Sequence, residues 1–599
     1  MLEVVSEPPG IVSGKRLRRE PLTDLGGWMN RFLKLAFAVW TAAMAVTALG
    51  QTGLPALPAS TTINIPADPN GFTLDVKRTA ELLKLPGYTV AVVQGGKIIY
   101  RQNGGAADLQ EHIPVTDSTL FSLASVTKSF SAVMMMQYEE EKKISLNDYL
   151  LSYPLDTSKY VPSTIDANTR LKHVLSMTSG DVPGMTFDYS GWRYSFLSGV
   201  FEQETHLEAK AAYKHEVESR ILGPLKLSNT FDGYPEMPTD LSMRVAHGYT
   251  LEAGPLGLSH KPVAYDAGNY YPGPAAGLFS TVDDLAAYTT ALDENRLISR
   301  ERYEEMTSSF VSPDGRTMPY GYGWMTQMFQ GLKLHWVYGE GRADSALLLR
   351  VPERNLTLIM LANSADPSSA ARLHDGNILR SPIAIAFLKY FVLPESERGG
   401  AINFDEELPA IKRQIVTAKS LHNPLRFDEL VAQAECRYYM ADFAHKKSDK
   451  AEQLLRLLYE LHPQSFDTSD VALMWMLGRL DAPNLKEPTK RLIRSFDVTS
   501  DRRPEVLYSI GMFYETAGDR VDSIKYYKLL ADRPGFNDEW YKIDGSLRLG
   551  RAYISAGDQD LGRIYIWKSA LESRGGGFDS GYMRDLVQEL RQPGTVKQR

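Results

Sequence analysis

With 599 residues the chain exceeds what one hydrophobic core organises, so two or more domains are expected. Its 43% hydrophobic and 23% charged residues are ordinary for a folded soluble protein, and a formal net charge of −7 with no long basic run argues against a nucleic-acid-binding class. A single cysteine, Cys436, excludes a disulfide framework and a Cys-rich metal site, and the 11 histidines show no His-Glu-x-x-His or other ligand spacing, so neither metal nor cofactor is expected.

In chain order, residues 1–50 read as a targeting segment. Arg31 and Lys34 precede or open an apolar run from Phe32 to Leu49, and Ala48-Leu49-Gly50 supplies the small residues of a cleavage site. Met29 stands just before the run, so a start there gives a signal of ordinary proportions and makes residues 1–28 an upstream misassignment. The alternative is a membrane anchor, because about 18 apolar residues just span a bilayer. A cleaved signal predicts an exported protein, periplasmic or extracellular, that meets a membrane only through an uncleaved N-terminal segment. A Pro/Ser/Thr-rich linker follows over 51–70.

Residues 71–395 read as an α+β domain. A short amphipathic stretch over 76–85 leads to a buried strand at Tyr88–Val93, a turn at Gln94-Gly95-Gly96-Lys97 and a return strand from Ile98. Ser125 to Glu141 is apolar nearly all round in its first half and carries Met134, Met135 and Met136, so it reads as a buried helix with the methionines as core. Thr281 with Asp283 and Asp284 signs the start of another helix. Strands at 332–337, 345–351 and 356–362 suit an antiparallel meander. A linker over 396–425 leads to a purely helical region, 426–595. There Ser509–Asp519 and Arg548–Asp558 repeat one pattern with equivalent glycines, Gly511 and Gly550, 39 residues apart, and Met476-Leu477-Gly478 is a fainter copy. Small residue, aromatic, then Ala-Gly-Asp between two helices resembles a tetratricopeptide array, although degenerate helical hairpins describe it better.

The chemistry centres on Ser125 and Lys128. Positions i and i+3 share a helix face, so the hydroxyl and the amine project together. An amine kept neutral by burial takes the proton of a serine that is otherwise a poor nucleophile. Free N–H groups at the start of the helix suit an oxyanion. In Phe187-Asp188-Tyr189-Ser190, Tyr189 offers a phenol that acts either as phenolate or as a relay with Lys128. In Val337-Tyr338-Gly339-Glu340-Gly341, glycine lets the backbone approach a substrate closely. The second oxyanion donor is the Glu340 N–H if Gly339 takes the close-approach position, with Gly341 as the alternative.

Residues 70–390 resemble the serine β-lactamase-like hydrolases, in the branch of class C β-lactamases, D,D-peptidases and esterases. The resemblance rests on an ordered series: Asp117–Phe121 with Ala124–Phe130, His173–Gly180, Phe187–Ser190, Ile221–Leu225 with Asn229-Thr230, Ala275–Thr281, Tyr320–Trp324, and Ala362-Asn363-Ser364. It implies an antiparallel sheet flanked by helices with an all-helical subdomain. It also implies Ser125 as the acylated nucleophile, Lys128 as its base, Tyr189 as proton donor to the leaving group, and the N–H groups of Ser125 and of a residue near Glu340 as the oxyanion hole. Two positions depart from the family. Gly191 stands where asparagine is usual, and Val337 stands where lysine or histidine usually meets a substrate carboxylate. His335 and Arg342 are the nearby candidates to replace it, against the default readings of a satisfied strand histidine and a solvated turn arginine. The expected function is two-step acyl transfer from a small-molecule, ester or peptide substrate, with esterase, D-amino-acid peptidase and β-lactamase-like activities all open. The tail would bind a protein partner. The alternative, favoured by Gly191 and Val337, is a catalytically inactive binding module with a scaffold tail.

Overall fold

The computed structural model describes residues 67–398, apart from 156–164, 181, 192, 234–236, 255–256 and 266–272, and beyond these chiefly 425–443, 504–532 and 540–575. The targeting segment 1–50, most of both expected linkers, and the fainter repeat at 476–478 lie outside the described residues. Among the described residues no helix is long and apolar enough to cross a membrane.

The first helix, α1 (Pro69–Leu82), begins inside the stretch read as linker. Pro69 occupies its first turn and the Asp68 side chain accepts from the Gly71 N–H at 2.9 Å, which together fix a helix start. Strands β1 (Gly87–Gln94) and β2 (Lys97–Asp108) form the expected hairpin, and Gly95 and Gly96 at φ +55° and +75° supply the turn that needs left-handed backbone. Strand β3 (Ile113–Pro114) extends it, and β4 (Phe121–Ser122), β5 (Phe231–Asp232), β6 (Gly248–Gly254), β7 (Gly257–Val263) and β8 (Leu278–Ser280) form two small separate sheets.

The meander is present with one more strand: β9 (Met325–Phe329), β10 (Leu332–Glu340), β11 (Ser345–Val351) and β12 (Leu356–Ala362). It joins the hairpin into a seven-stranded antiparallel sheet in the order β3-β2-β1-β12-β11-β10-β9. The N-terminal strand and the last strand therefore lie side by side at the centre, Val92 opposite Leu358 and Tyr88 opposite Ala362. Both strands are buried along almost their whole length, which a pattern of continuous rather than alternating apolar residues dictates.

The buried helix is α2 (Thr127–Glu140), with Met134, Met135 and Met136 wholly inside the core. Further helices include α3 (Ser198–Thr205), α4 (Ala209–Val217) and α5 (Val282–Asp293), the last capped by Thr281, whose hydroxyl accepts from the Asp284 N–H at 3.4 Å. After the sheet come α6 (Asp366–Ala370) and α7 (Pro382–Phe387). The first helix of the tail, α8 (Arg426–Phe443), packs on this domain: Cys436 and Met440 share an apolar cluster with Leu83 and Leu251, and Lys389 bonds Glu429 at 3.0 Å.

The two clear repeats are two helix pairs, α9 (Pro504–Thr516) with α10 (Arg520–Ala531) and α11 (Trp540–Ser555) with α12 (Gln559–Gly575). The repeated glycines mark the crossings. A Cβ on Gly511 would sit 2.5 Å from the Tyr527 ring, and one on Gly550 would sit 2.7 Å from the Gly562 carbonyl. In each Ala-Gly-Asp turn the glycine takes positive φ (Gly518 +75°, Gly557 +93°) and the aspartate caps the next helix, Asp519 on Asp522 and Asp558 on Leu561.

Candidate active site

Ser125 lies in a single 3-10 turn, Ala124–Val126, that runs directly into α2. Ala124 has φ +42°, a left-handed conformation that a residue with a Cβ rarely adopts and that recurs at functional sites. Its N–H donates to the Ser122 hydroxyl at 3.3 Å. This reversal presents Ser125 at the head of the helix, where backbone N–H groups lack intrahelical acceptors. Lys128 is fully buried, and its Nζ donates to Ser125 Oγ at 2.8 Å and to the Ala275 carbonyl at 2.7 Å. Burial brings the amine down to about 7, so it is largely neutral just above neutrality.

Tyr189 arrives from a loop tied at both sides. The Asp188 N–H donates to the Met177 carbonyl at 2.8 Å, and the Asp188 carboxylate pairs with Arg193 at 2.8 Å, both side chains buried. The Tyr189 ring centre lies 5.7 Å from Lys128 Nζ, and Tyr194 stands equally far from the same amine. The Tyr189 hydroxyl is covered from solvent and sits beside the hydroxyls of Ser125 and Tyr338 without a well-aligned hydrogen bond, the loose geometry usual before a substrate arrives. Burial outweighs those two neighbours and pushes it up to about 12, so Tyr189 is a phenol throughout the physiological range.

The third element is the end of β10. Gly339 holds the close-approach position, since a Cβ there would lie 2.1 Å from the Leu123 carbonyl and 3.2 Å from Ala124 Cβ. The register selects the free donor. Gly341 N–H donates to the Asp344 carbonyl at 3.0 Å, so odd-numbered residues of β10 bond β11 and even-numbered ones turn their N–H toward β9. Pairing with β9 ends at Trp336, which leaves the Glu340 N–H unclaimed by either neighbouring strand. Gly341 is thereby spoken for, and Glu340 is the donor that the ladder leaves available.

Val337 is buried opposite Leu348 within the apolar core and brings methyl groups where the family usually has a cation. Gly191 is exposed, and a Cβ added to it would meet nothing within 4 Å, so no crowding imposes glycine there. His335 does not replace the missing cation: its Nδ1 bonds the Tyr303 hydroxyl at 3.2 Å, and burial, with Arg350 and Lys333 adding to it, pulls it down to about 3. Arg342 is exposed in the β10–β11 turn. Among the described residues no group of three His, Cys, Asp or Glu side chains is arranged to hold a metal ion.

Sequence reasoning missed Tyr338, whose ring centre lies 5.1 Å from that of Tyr189, and Tyr320, at 6.1 Å. Tyr338 lay inside a motif already singled out, but nothing in that motif foretold its meeting with the Tyr189 loop. The Ala275 carbonyl has no side-chain signature at all.

The family model described as Beta-lactamase matches residues 76–381. Among curated proteins, protein flp of Staphylococcus aureus (strain MW2) is 24% identical over 315 residues, which is 47% of this chain and 60% of that protein. D-aminopeptidase of Gluconobacter oxydans is 21% identical over 329 residues, 50% of this chain and 60% of that protein. The chain thus spans about 60% of the length of these relatives. Among solved structures, the octameric penicillin-binding protein homologue from Pyrococcus abyssi has a TM-score of 0.43 at 22% identity, covering 49% of this chain and 73% of that one. D-amino acid amidase from Ochrobactrum anthropi SV3 has a TM-score of 0.39 at 19% identity, covering 49% and 91%.

Proposed function

This chain belongs to the β-lactamase family, and from that premise we propose that it is a serine hydrolase that cleaves an ester or amide through an acyl-enzyme. The observation that carries the reading is the 2.8 Å bond between Ser125 Oγ and a lysine whose amine burial keeps near pH 7. Lys128 takes the Ser125 proton as Oγ attacks the carbonyl carbon. The tetrahedral oxyanion is held by the N–H groups of Ser125 and Glu340. Collapse expels the alcohol or amine, which receives its proton through Tyr189 acting as a phenol relayed to Lys128. Water, deprotonated by the same base, then frees the acid and regenerates Ser125.

The substrate side follows from Val337 and Gly191, which supply neither a cation nor an amide to a substrate carboxylate. Esters and amides that lack that carboxylate are the favoured donors over β-lactams and D-alanyl termini. The D-aminopeptidase and D-amino acid amidase among the similar proteins fit amide cleavage of this kind. The chain is exported, with 1–50 as its targeting segment, and its helix pairs offer a surface to a protein partner.

A fluorophosphonate probe tests the reading. The native protein should be labelled and Ser125→Ala should not. Equal absence of labelling from both would favour the rival, a binding module that has lost turnover, for which the buried Val337 at the cation position is the supporting observation.

A further inference from the structure

Beside the proposed site stands a carboxylate that, among the described residues, has no cation in contact with it. Glu340 ends β10 half-buried, and it shares a strand face with Tyr338, two residues earlier, whose ring packs on that of Tyr189. Burial raises the pKa of both Tyr189 and Tyr338, and the neighbouring Glu340 carboxylate adds to it.

Glu340 is held by hydroxyls. The Ser369 hydroxyl on α6 donates to Glu340 Oε1 at 2.5 Å. The Tyr439 hydroxyl on α8 donates to Asp366 Oδ1 at 2.9 Å, and its oxygen stands beside the Ser369 hydroxyl. Among the described residues Glu340 has no ion-pair partner, and the Arg342 that follows it is exposed in the turn. Asp344, across that turn, is bonded by the hydroxyls of Tyr265 and Ser122. A substrate lying against Ser125 and the Glu340 N–H therefore has the half-buried Glu340 carboxylate as its neighbour, and beside it the unpartnered hydroxyl of Tyr189.

Resting on the serine-hydrolase reading, we propose that the Glu340 side chain selects acyl donors bearing a protonated amino group, such as the ester or amide of an amino acid or peptide with a free N-terminus. Tyr439 is a positioning residue for this carboxylate, acting through Ser369. Tyr439 lies beyond the matched family region, which ends at residue 381. The first helix of the tail thus takes part in reading the substrate.

The test compares alanine p-nitroanilide, free or N-acetylated and in both configurations, with the neutral ester p-nitrophenyl butyrate on the full chain. The ratio of kcat/KM for the free amine over the N-acetyl form should exceed about tenfold and should collapse by about tenfold or more in Glu340→Gln, the size of a lost hydrogen bond to a charged group. Ser369→Ala and Tyr439→Phe should lower the ratio in the same direction, and Ser369→Thr should restore it. The ratio should also fall as pH rises through about 8, where an α-ammonium deprotonates, whereas Lys128 acts on both substrates and cancels. A ratio that favours the N-acetyl form, or that is the same in Glu340→Gln as in the native protein, overturns the inference. If that happens while Ser125-dependent ester turnover persists, the hydrolase reading stands without it. Loss of that turnover in the native protein would sink the reading itself.

Discussion

Lys128 Nζ lies 2.8 Å from Ser125 Oγ, inside a core that leaves the amine no solvent and gives it the Ala275 carbonyl as its other partner. Burial is what lowers the amine to about 7 and makes it a usable base. The kcat/KM for a neutral ester should therefore rise with pH through about 7 and level off above it, because only the unprotonated amine accepts the serine proton. Tyr189, at about 12, should produce no falling limb over the working range. Lys128→Ala should cut kcat by about 10²-fold or more. The same shift carries a stability cost. Between about 7 and the usual lysine range, the unfolded chain binds a proton that the native one does not, so the penalty is full below 7 and fades as pH rises through that window. Lys128→Met should raise the midpoint of thermal unfolding at pH 7 while abolishing turnover. A lower midpoint would show that the amine stabilises the fold.

Two glycines of the site make opposite predictions. A Cβ on Gly339 would press within 2.1 Å of the Leu123 carbonyl, which is backbone and cannot step aside. Gly339→Ala should displace the turn that carries Ser125 and reduce fluorophosphonate labelling by at least about tenfold, in keeping with the cost of misplacing reacting groups by 1 Å. A Cβ on Gly191 meets open space, so Gly191→Ala should label at the native rate. Comparing both labelling rates with circular dichroism separates site distortion from unfolding. Equal labelling of the two variants would reject the close-approach role of Gly339.

Asp344 is a buried acid that burial raises to about 6, although the Tyr265 and Ser122 hydroxyls oppose the shift. The native state then holds a proton that the unfolded chain releases near the ordinary carboxylate pKa. Its contribution favours folding at low pH and is lost as pH rises from about 4 to about 6, by an amount of order 3 kcal/mol. Asp344→Asn should flatten the stability curve across that window, as measured by urea unfolding at pH 4.5, 5.5 and 6.5. A slope unchanged by the substitution would show that another group titrates there.

The tail should fail independently of the chemistry. Gly550 lets α11 and α12 meet, with a Cβ clashing at 2.6 Å with Ile566 and 2.7 Å with the Gly562 carbonyl. Gly550→Leu should melt this pair, seen as lost helical circular dichroism and faster proteolysis after about residue 540. Ser125 labelling should be unchanged, because the Gly550 crossing lies within the tail. Parallel loss of labelling would tie the last helix pair to the nucleophile.

The sequence by itself determined the local chemistry of this protein. Spacing put Ser125 and Lys128 on one helix face. Continuous apolar runs gave the central strands, Gly95-Gly96 gave the hairpin turn, and repeated Ala-Gly-Asp turns gave the tail hairpins. Each is a property of a few neighbouring residues, and such periodicities are written into the chain. Only the tertiary structure decided how distant segments meet. The β10–β11 register chose Glu340 over Gly341 as the available donor, because hydrogen-bond alternation depends on the partner strand. Burial by elements far along the chain lowered Lys128 to about 7 and kept Tyr189 a phenol, since desolvation belongs to the assembled core. Ala275 and Tyr338 meet Lys128 and Tyr189 from segments far along the chain, a meeting that spacing alone does not show. Ser125 and Lys128 were legible as neighbours in sequence, and the burial that shifts the proton affinity of the amine exists only once the chain is folded.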